Sequence, residues 1–531
     1  MQMKSWLNRL LNNKSKETFP IVWDAQLPPL YTRLEQTYEQ AQPLPWDNNV
    51  LPCQPLGDSD EAFWAPGALE GTMIYHFSFG GGDIGAKEIL SRLQQATGKP
   101  NARTMRALYD LIIQDSPLPY IDELLKAIPT VGGIRADRLN ELLLFLCTRS
   151  PDRNAIKFAM ALMAFFPQQR NVDVLQVLGR HDEFTLYAVV ALRSMLTPEQ
   201  YTDIWFAMAQ RVDGWGRIHL MERMPDTLDD KMRRWLLREG FFNSVMNEYT
   251  AVNCAVHGGL CEALASEHDD ALLLGAAEIL YALLNEDPVP GMSVYDDAVE
   301  TCQRYLQNVI AQRPAHPLHY LTAKRISEWA RQEESLHPSL SAQLVTMSAG
   351  ILALNLWDEV ILQTLAGEEG YAFNLAIEVY RDRQKDPFPI LFARQRDMPE
   401  STLWYQLMQT EDINQAIQVC SLAETQFNLN AIASGPTLSN GIGPKWNVHR
   451  HLDSLLQELK RFPETGWPLL KAALRSPVIR NRQMALNALE AWPLNSLSVH
   501  LHYIEECAES EPYEEVQQRL KGLRDRLCQN G

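Results

Sequence analysis

The chain has 531 residues, with 48 Lys plus Arg against 66 Asp plus Glu, a formal net charge of −18. Hydrophobic residues make up 46% and charged residues 21%, which allows a large buried core and excludes wholesale disorder. A surface of that sign repels phosphate backbones and argues against a general nucleic-acid binder.

The N-terminus places Trp6, Leu7, Leu10 and Leu11 on one helix face, interrupted by Asn8 and Arg9. A secretory signal needs a continuous apolar stretch, so a short amphipathic helix is expected here instead. Residues 42–70 hold Pro43, Pro45, Pro52, Pro55, Pro66, Gly57 and Gly67 and read as loop. Gly71–Phe79 is rich in β-branched and aromatic residues and predicts an extended, strand-like segment, ending in Gly80-Gly81-Gly82-Asp83.

From about residue 84 the hydrophobic period becomes helical. Leu139, Leu142, Leu143 and Leu146 fall at i, i+3, i+4 and i+7, and Leu452, Leu455, Leu456 and Leu459 repeat that spacing. Breaks are expected at Ser150-Pro151, Thr197-Pro198, Pro225-Asp226, His337-Pro338 and Ser476-Pro477. The division expected is an irregular region over 1–83 and a helical array over 84–530. The eight cysteines form no C-x-x-C pair, and no apolar run approaches the ~18 residues that span a bilayer. The expectation is a cytoplasmic protein without a membrane segment.

A weak internal repeat runs through the array. Phe158-Ala159 aligns with Tyr187-Ala188 after 29 residues, and Arg217-Ile218 follows 30 residues later. Small Ala lets helix axes approach, and such pairs complete a core only when stacked. The tandem pairs of 150–225, and the S-P-x-x-R-x-R-x-x-A-L-x-A-L pattern of 476–489, resemble degenerate HEAT-type repeats; GWGRIHLMER resembles a segment of bacterial HEAT-like proteins. The resemblance implies an all-α fold, a right-handed α-solenoid of HEAT-like helix pairs.

No pattern for a haem, a flavin, a P-loop, a kinase or a nucleophile elbow stands out, and no catalytic residue, metal site or cofactor is expected. Cys254, His257 and Cys261 stand at i, i+3 and i+7, a spacing that would share one helix face, but core packing explains them better than zinc. His181-Asp182 and His268-Asp269 precede apolar helices, where Asp caps an N-terminus. Gly441-Ile442-Gly443-Pro444-Lys445 reads as a tight turn. The most unusual stretch is Asp213–Arg223, where two glycines bracket Trp215. Trp215, Arg217 and His219 are candidate partner anchors, with a structural role for Trp215 as a plug and for Arg217 beside a carboxylate as the other reading.

Charge is unevenly spread. Residues 266–300 hold nine acidic residues and no Lys or Arg, and residues 21–70 hold eight acidic residues and Arg33. Glu286, Asp287, Asp296 and Asp297 are therefore candidate contacts to a basic protein partner. The reading reached is a non-enzymatic protein-binding scaffold or adaptor with an acidic surface. The alternative is an enzyme with a cleft between the N-terminal region and the repeats, which requires His76, Asp83, Trp215, Arg217, His219 and Glu222 to converge.

Overall fold

The computed structural model describes residues 19–39, 43, 50–51, 64–77 and 85–530. The first amphipathic segment, most of the Pro-rich loop and Gly80–Asp83 lie outside the described residues. Among the described residues the structure is helical throughout, and its only β-type pairing is an isolated bridge between Ser439 and Val478. No single described helix is long and apolar enough to cross a membrane. The chain divides into two compact units, one reaching residue 354 and one from residue 355 onward.

Local chemistry sets the helix starts. Asn101 accepts from the N–H groups of Arg103 and Thr104, and the Thr104 hydroxyl accepts from the Asn101 N–H. Thr197 and Gln200 form the same reciprocal box ahead of Pro198, whose missing N–H costs nothing in a first turn. Asp152, Asp229, Asp269 and Asp412 cap four further helices. The breaks at Ser150, Thr197, His337 and Ser476 fall between helices as the sequence predicts.

In the first unit, stacking follows the repeat. Arg153–Met163 packs against Asp182–Met195, which packs in turn against Trp215–Met221. The row continues through Glu248–Gly258, Asp270–Leu283 and Leu318–Gln332. Intervening helices such as Ala136–Arg149 and Gln169–Gly179 pack on members of this row. Ala159 and Ala188, equivalent in the internal repeat, are both fully buried, as close approach of stacked axes requires. In the second unit Asn447–Leu456 packs on Ile479–Ala491, which packs on Glu514–Asn530. There Arg482 is fully buried, with Nε and Nη2 donating to the two Glu511 carboxylate oxygens at 2.7 and 2.9 Å.

Two expectations are corrected. Within Gly71–Phe79 the described residues make no strand: Ala68–His76 form a helix and Phe77 after it is extended, while Ser78 and Phe79 lie outside the described residues. The reason is tertiary. A Cβ on Gly71 would lie 2.1 Å from the Trp215 ring, so the indole sits directly on the backbone of this helix. That contact, together with a buried ion pair from Glu70, outweighs the weak strand preference of Thr72, Ile74 and Tyr75. The second correction concerns Cys254, His257 and Cys261. Gly259 adopts φ 67° and ends one helix, so Cys261 belongs to the next helix, Leu260–Ser266. Both cysteines are buried, and no group of three or more metal-ligating side chains forms among the described residues.

Candidate partner-binding surface

The Ala68–His76 helix is held by charge at a depth where water cannot help. Lys157 is 1% exposed, and its Nζ lies 2.6 Å from Glu70 Oε1 and 2.6 Å from Glu183 Oε1. Burial works against the lysine charge, and the two carboxylates more than restore it, raising its pKa above the ordinary value. Ser116 donates to Glu70 Oε1 at 2.7 Å, and the Gly67 N–H donates to Glu183 Oε2 at 2.8 Å. Arg153 adds a second cation 3.4 Å from Glu183. Glu70 Oε2 is buried without a hydrogen-bond partner among the described residues.

The Trp215–Met221 helix is fixed by a carboxylate from its neighbour. Asp182 Oδ1 accepts from the N–H groups of Gly214 and Gly216 at 2.9 and 2.8 Å. The His-Asp pair is thus split between two helices. The expectation that Asp182 caps its own helix is corrected: His181 does so, its Nδ1 accepting the Glu183 N–H, while Asp182 is turned toward the start of the Trp215–Met221 helix. A side chain on Gly216 would meet Thr185 Oγ1 at 2.5 Å and Asp182 Oδ1 at 2.8 Å, which explains the glycine. Burial and the nearby Asp213 push the Asp182 carboxyl up to about 6.

Trp215 then forms a cluster with Ala68, Ile218 and Tyr249, onto which Tyr75, Val245 and Val289 pack. Tyr75 hydrogen-bonds Glu222, and His76 Nε2 lies 2.7 Å from the Tyr249 hydroxyl. His219 is 1% exposed and its pKa is lowered by burial; its Nδ1 is 3.9 Å from Glu222, beyond hydrogen-bond range. Burial opposes the Glu222 charge, but the Tyr75 hydrogen bond and the Arg223 guanidinium at 2.7 Å help hold its pKa down at about 2.

Arg217 turns the other way. It is 5% exposed and finds carbonyls rather than the carboxylate expected of it: Nε donates to Val212 O at 2.8 Å, and Nη1 reaches Glu239 O, Gly240 O and Phe242 O at 3.3, 3.2 and 3.0 Å. Its charge sits at the C-terminal end of the Leu236–Gly240 turn, the negative end of a helical segment. Of the six residues whose convergence would build a cleft, Trp215, His219 and Glu222 are neighbours, His76 reaches them only through Tyr249, Arg217 departs, and Asp83 lies outside the described residues.

The four acidic candidates are all exposed and lie in the segment between the Asp270–Leu283 and Ala298–Gln312 helices. Glu286 Oε1 accepts from the N–H groups of Gly291 and Ser293 and shapes this loop. Val289 ties the loop to the Trp215–Tyr249 cluster. The acidic block is partly compensated: Glu267 and Asp269 both pair with Arg238, and Glu267 also with Arg234.

A larger feature lies past the C-terminal end of the Trp215 helix. A groove of about 740 Å³ runs between the turn at Leu196–Pro198 and the turn at Pro225–Asp229. Glu199, Asp203, Asp226 and Asp229 line it against one cation, Arg193. Its floor is apolar, with Tyr201, Leu228 and Met232 buried. Asp226 is 93% exposed, with Arg193 3.8 Å away. Asp229 is committed to capping Met232 N–H at 2.7 Å. Sequence reasoning missed this groove, because its carboxylates come from the start of the Pro198–Ala209 helix and from the turn ahead of the Asp230–Trp235 helix, and look ordinary in each. The repeat spacing of 29–30 residues was the available signal, since equivalent turns of neighbouring repeats lie side by side.

No protein-family model matches the chain, and no curated protein matches it. One solved structure is similar over 84% of this chain and 95% of its own, a "circular tandem repeat protein with novel repeat topology and enhanced subunit contact surfaces". It is 14% identical with a TM-score of 0.12, too low to support a shared fold, so the helical rows described above stand on their own packing.

Proposed function

We propose that the chain is a cytoplasmic protein-binding scaffold, a right-handed HEAT-like solenoid, that grips a basic, partly apolar segment of a partner protein. The observation that carries this reading is the groove of about 740 Å³ with four carboxylates at its rim, one arginine, and an apolar floor. Lysine or arginine side chains satisfy the rim, and alternating apolar side chains fill the floor. The loop bearing Glu286, Asp287, Asp296 and Asp297 adds a long-range field that attracts the same partner without holding it. Trp215, Arg217 and His219 serve as the packing behind this surface rather than as contacts, since all three are buried.

A fluorescent peptide of alternating Lys and Leu tests the reading, with an alternating Glu and Leu peptide as control. Binding of the first and not the second is expected, weakening as salt rises. Equal binding of both peptides contradicts it.

A further inference from the structure

The second unit contains a cavity of about 420 Å³ that the scaffold reading does not use. It opens where the turn following the Tyr371–Asp382 helix faces the turn between Trp404–Leu407 and Ile413–Gln426. Its volume falls in the ~300–1,000 Å³ range of small-molecule sites. Both signs of charge line it, and most are already committed. Lys385 Nζ lies 2.7 Å from Asp358, Glu411 pairs with Arg461 at 2.9 Å, and Asp412 caps Asn414 N–H at 2.8 Å.

Three lining charges meet no opposite charge among the described residues: Asp412, which bonds only Asn414, and Arg381 and Asp386. Arg381 donates through Nη1 to Gln406 Oε1 and through Nη2 to Gln406 O, both at 2.9 Å, which leaves Nε and one proton on each Nη unspent. Asp386 accepts from Phe388 N–H at 2.9 Å and from Gln415 Nε2 at 3.0 Å but touches no cation. The two residues line one cavity, yet form no ion pair with each other or with any other described residue. Gln409 also lines the cavity, and its amide Nε2 is buried without a hydrogen-bond partner among the described residues. Rotation about its soft terminal torsion turns that donor toward the space. Phe388 and Leu407, both buried, supply an apolar wall, with the Phe388 ring stacked on Phe392 at 5.4 Å.

An unpaired guanidinium and an unpaired carboxylate in one cavity match a ligand that carries both charges itself. We propose that this cavity binds a free amino acid with an apolar side chain, its carboxylate on Arg381 and Gln409, its ammonium on Asp386, and its side chain against Phe388 and Leu407. The fork of Arg381 takes a carboxylate in two parallel hydrogen bonds, which a lysine cannot reproduce.

Calorimetry on the full chain tests this with three probes of one shape: L-phenylalanine, 3-phenylpropionate, which lacks the ammonium, and phenethylamine, which lacks the carboxylate. L-Phenylalanine is expected to bind at least about tenfold tighter than either relative. Asp386→Asn should bring L-phenylalanine down to the level of 3-phenylpropionate while the melting curve stays unchanged. Arg381→Lys should weaken L-phenylalanine about tenfold or more. Equal affinity for L-phenylalanine and 3-phenylpropionate overturns the proposal. So does indifference to Asp386→Asn, or no heat with L-phenylalanine at millimolar concentration.

Discussion

The two ends of the Trp215–Met221 helix use charge in opposite ways. At its start, Asp182, Glu183, Lys157 and Glu70 are sealed from water and spend their charges on one another or on backbone amides. Beyond its end, past Pro225, Asp203 and Asp226 stand in solvent above an apolar floor. The first arrangement fixes elements in place, because an unpaired charge at that depth is costly. The second ties Asp229 to a helix cap and sets Asp226 beside one solvent-facing arginine, and it leaves these exposed carboxylates within reach of a partner. Residues that look singular in the sequence, such as a tryptophan between glycines, belong to the first kind. The surface with capacity to spare is built from unremarked aspartates.

The largest effect that would sharpen this contrast is expected at Lys157. Lys157→Met leaves Glu70 and Glu183 buried without their shared cation and should cost about 3–5 kcal/mol. Hydrogen exchange over residues 68–76 should rise along with the loss of thermal stability. Unchanged protection of those amides would show that the ion pair does not hold the helix. Trp215→Ala empties the space over Gly71 and should cost a similar ~3–5 kcal/mol in a thermal melt.

Next in size is a pH effect at Asp182. With its carboxyl raised to about 6, the folded chain keeps a proton that the unfolded chain, near its ordinary 3.8, has released. Between about pH 4 and 6 the folded state therefore binds more protons, and stability falls as pH rises. Asp182→Asn keeps an oxygen for Gly214 and Gly216 and loses the charge. It should gain on the order of 2–3 kcal/mol at pH 7.5 and nothing at pH 4, as read by denaturant melts at both values. Glu222 has the opposite sign: held at about 2 against an ordinary 4.5, it stabilises above pH 4.5 and loses that contribution as pH falls through 2. A smaller loss, about 1 kcal/mol, is expected for Thr197→Ala, which removes half of one reciprocal cap at the groove's edge. Smallest of all is the stability change of Asp203→Lys with Asp226→Lys, within about 0.5 kcal/mol, since both side chains are solvated.

Helix boundaries were legible in the sequence at Ser150-Pro151, Thr197-Pro198 and Asp269, though at His181-Asp182 the histidine and not the aspartate caps the helix. The 29-residue offset between Ala159 and Ala188 anticipated two helices that stack directly. What the sequence hid depends on contacts between distant residues. Gly71–Phe79 carries a strand-like composition that an indole and a buried lysine override. Arg217 looked like half of an ion pair, and its partners proved to be carbonyls, which every residue has and no sequence pattern displays. The groove escaped notice for a related reason: no local pattern records that residues 193–203 and 225–232 face the same space.

The central claim is that the groove, and not the chain's acidity in general, grips the partner. The most direct measurement compares two double variants of equal charge change by stopped-flow binding of the Lys-Leu peptide: Asp203→Lys with Asp226→Lys in the groove, and Glu286→Lys with Asp287→Lys in the loop. The account predicts that the groove variant loses at least about tenfold in affinity through faster dissociation, whereas the loop variant mainly slows association. Equal losses in both variants, or a loss confined to the loop variant, would contradict it.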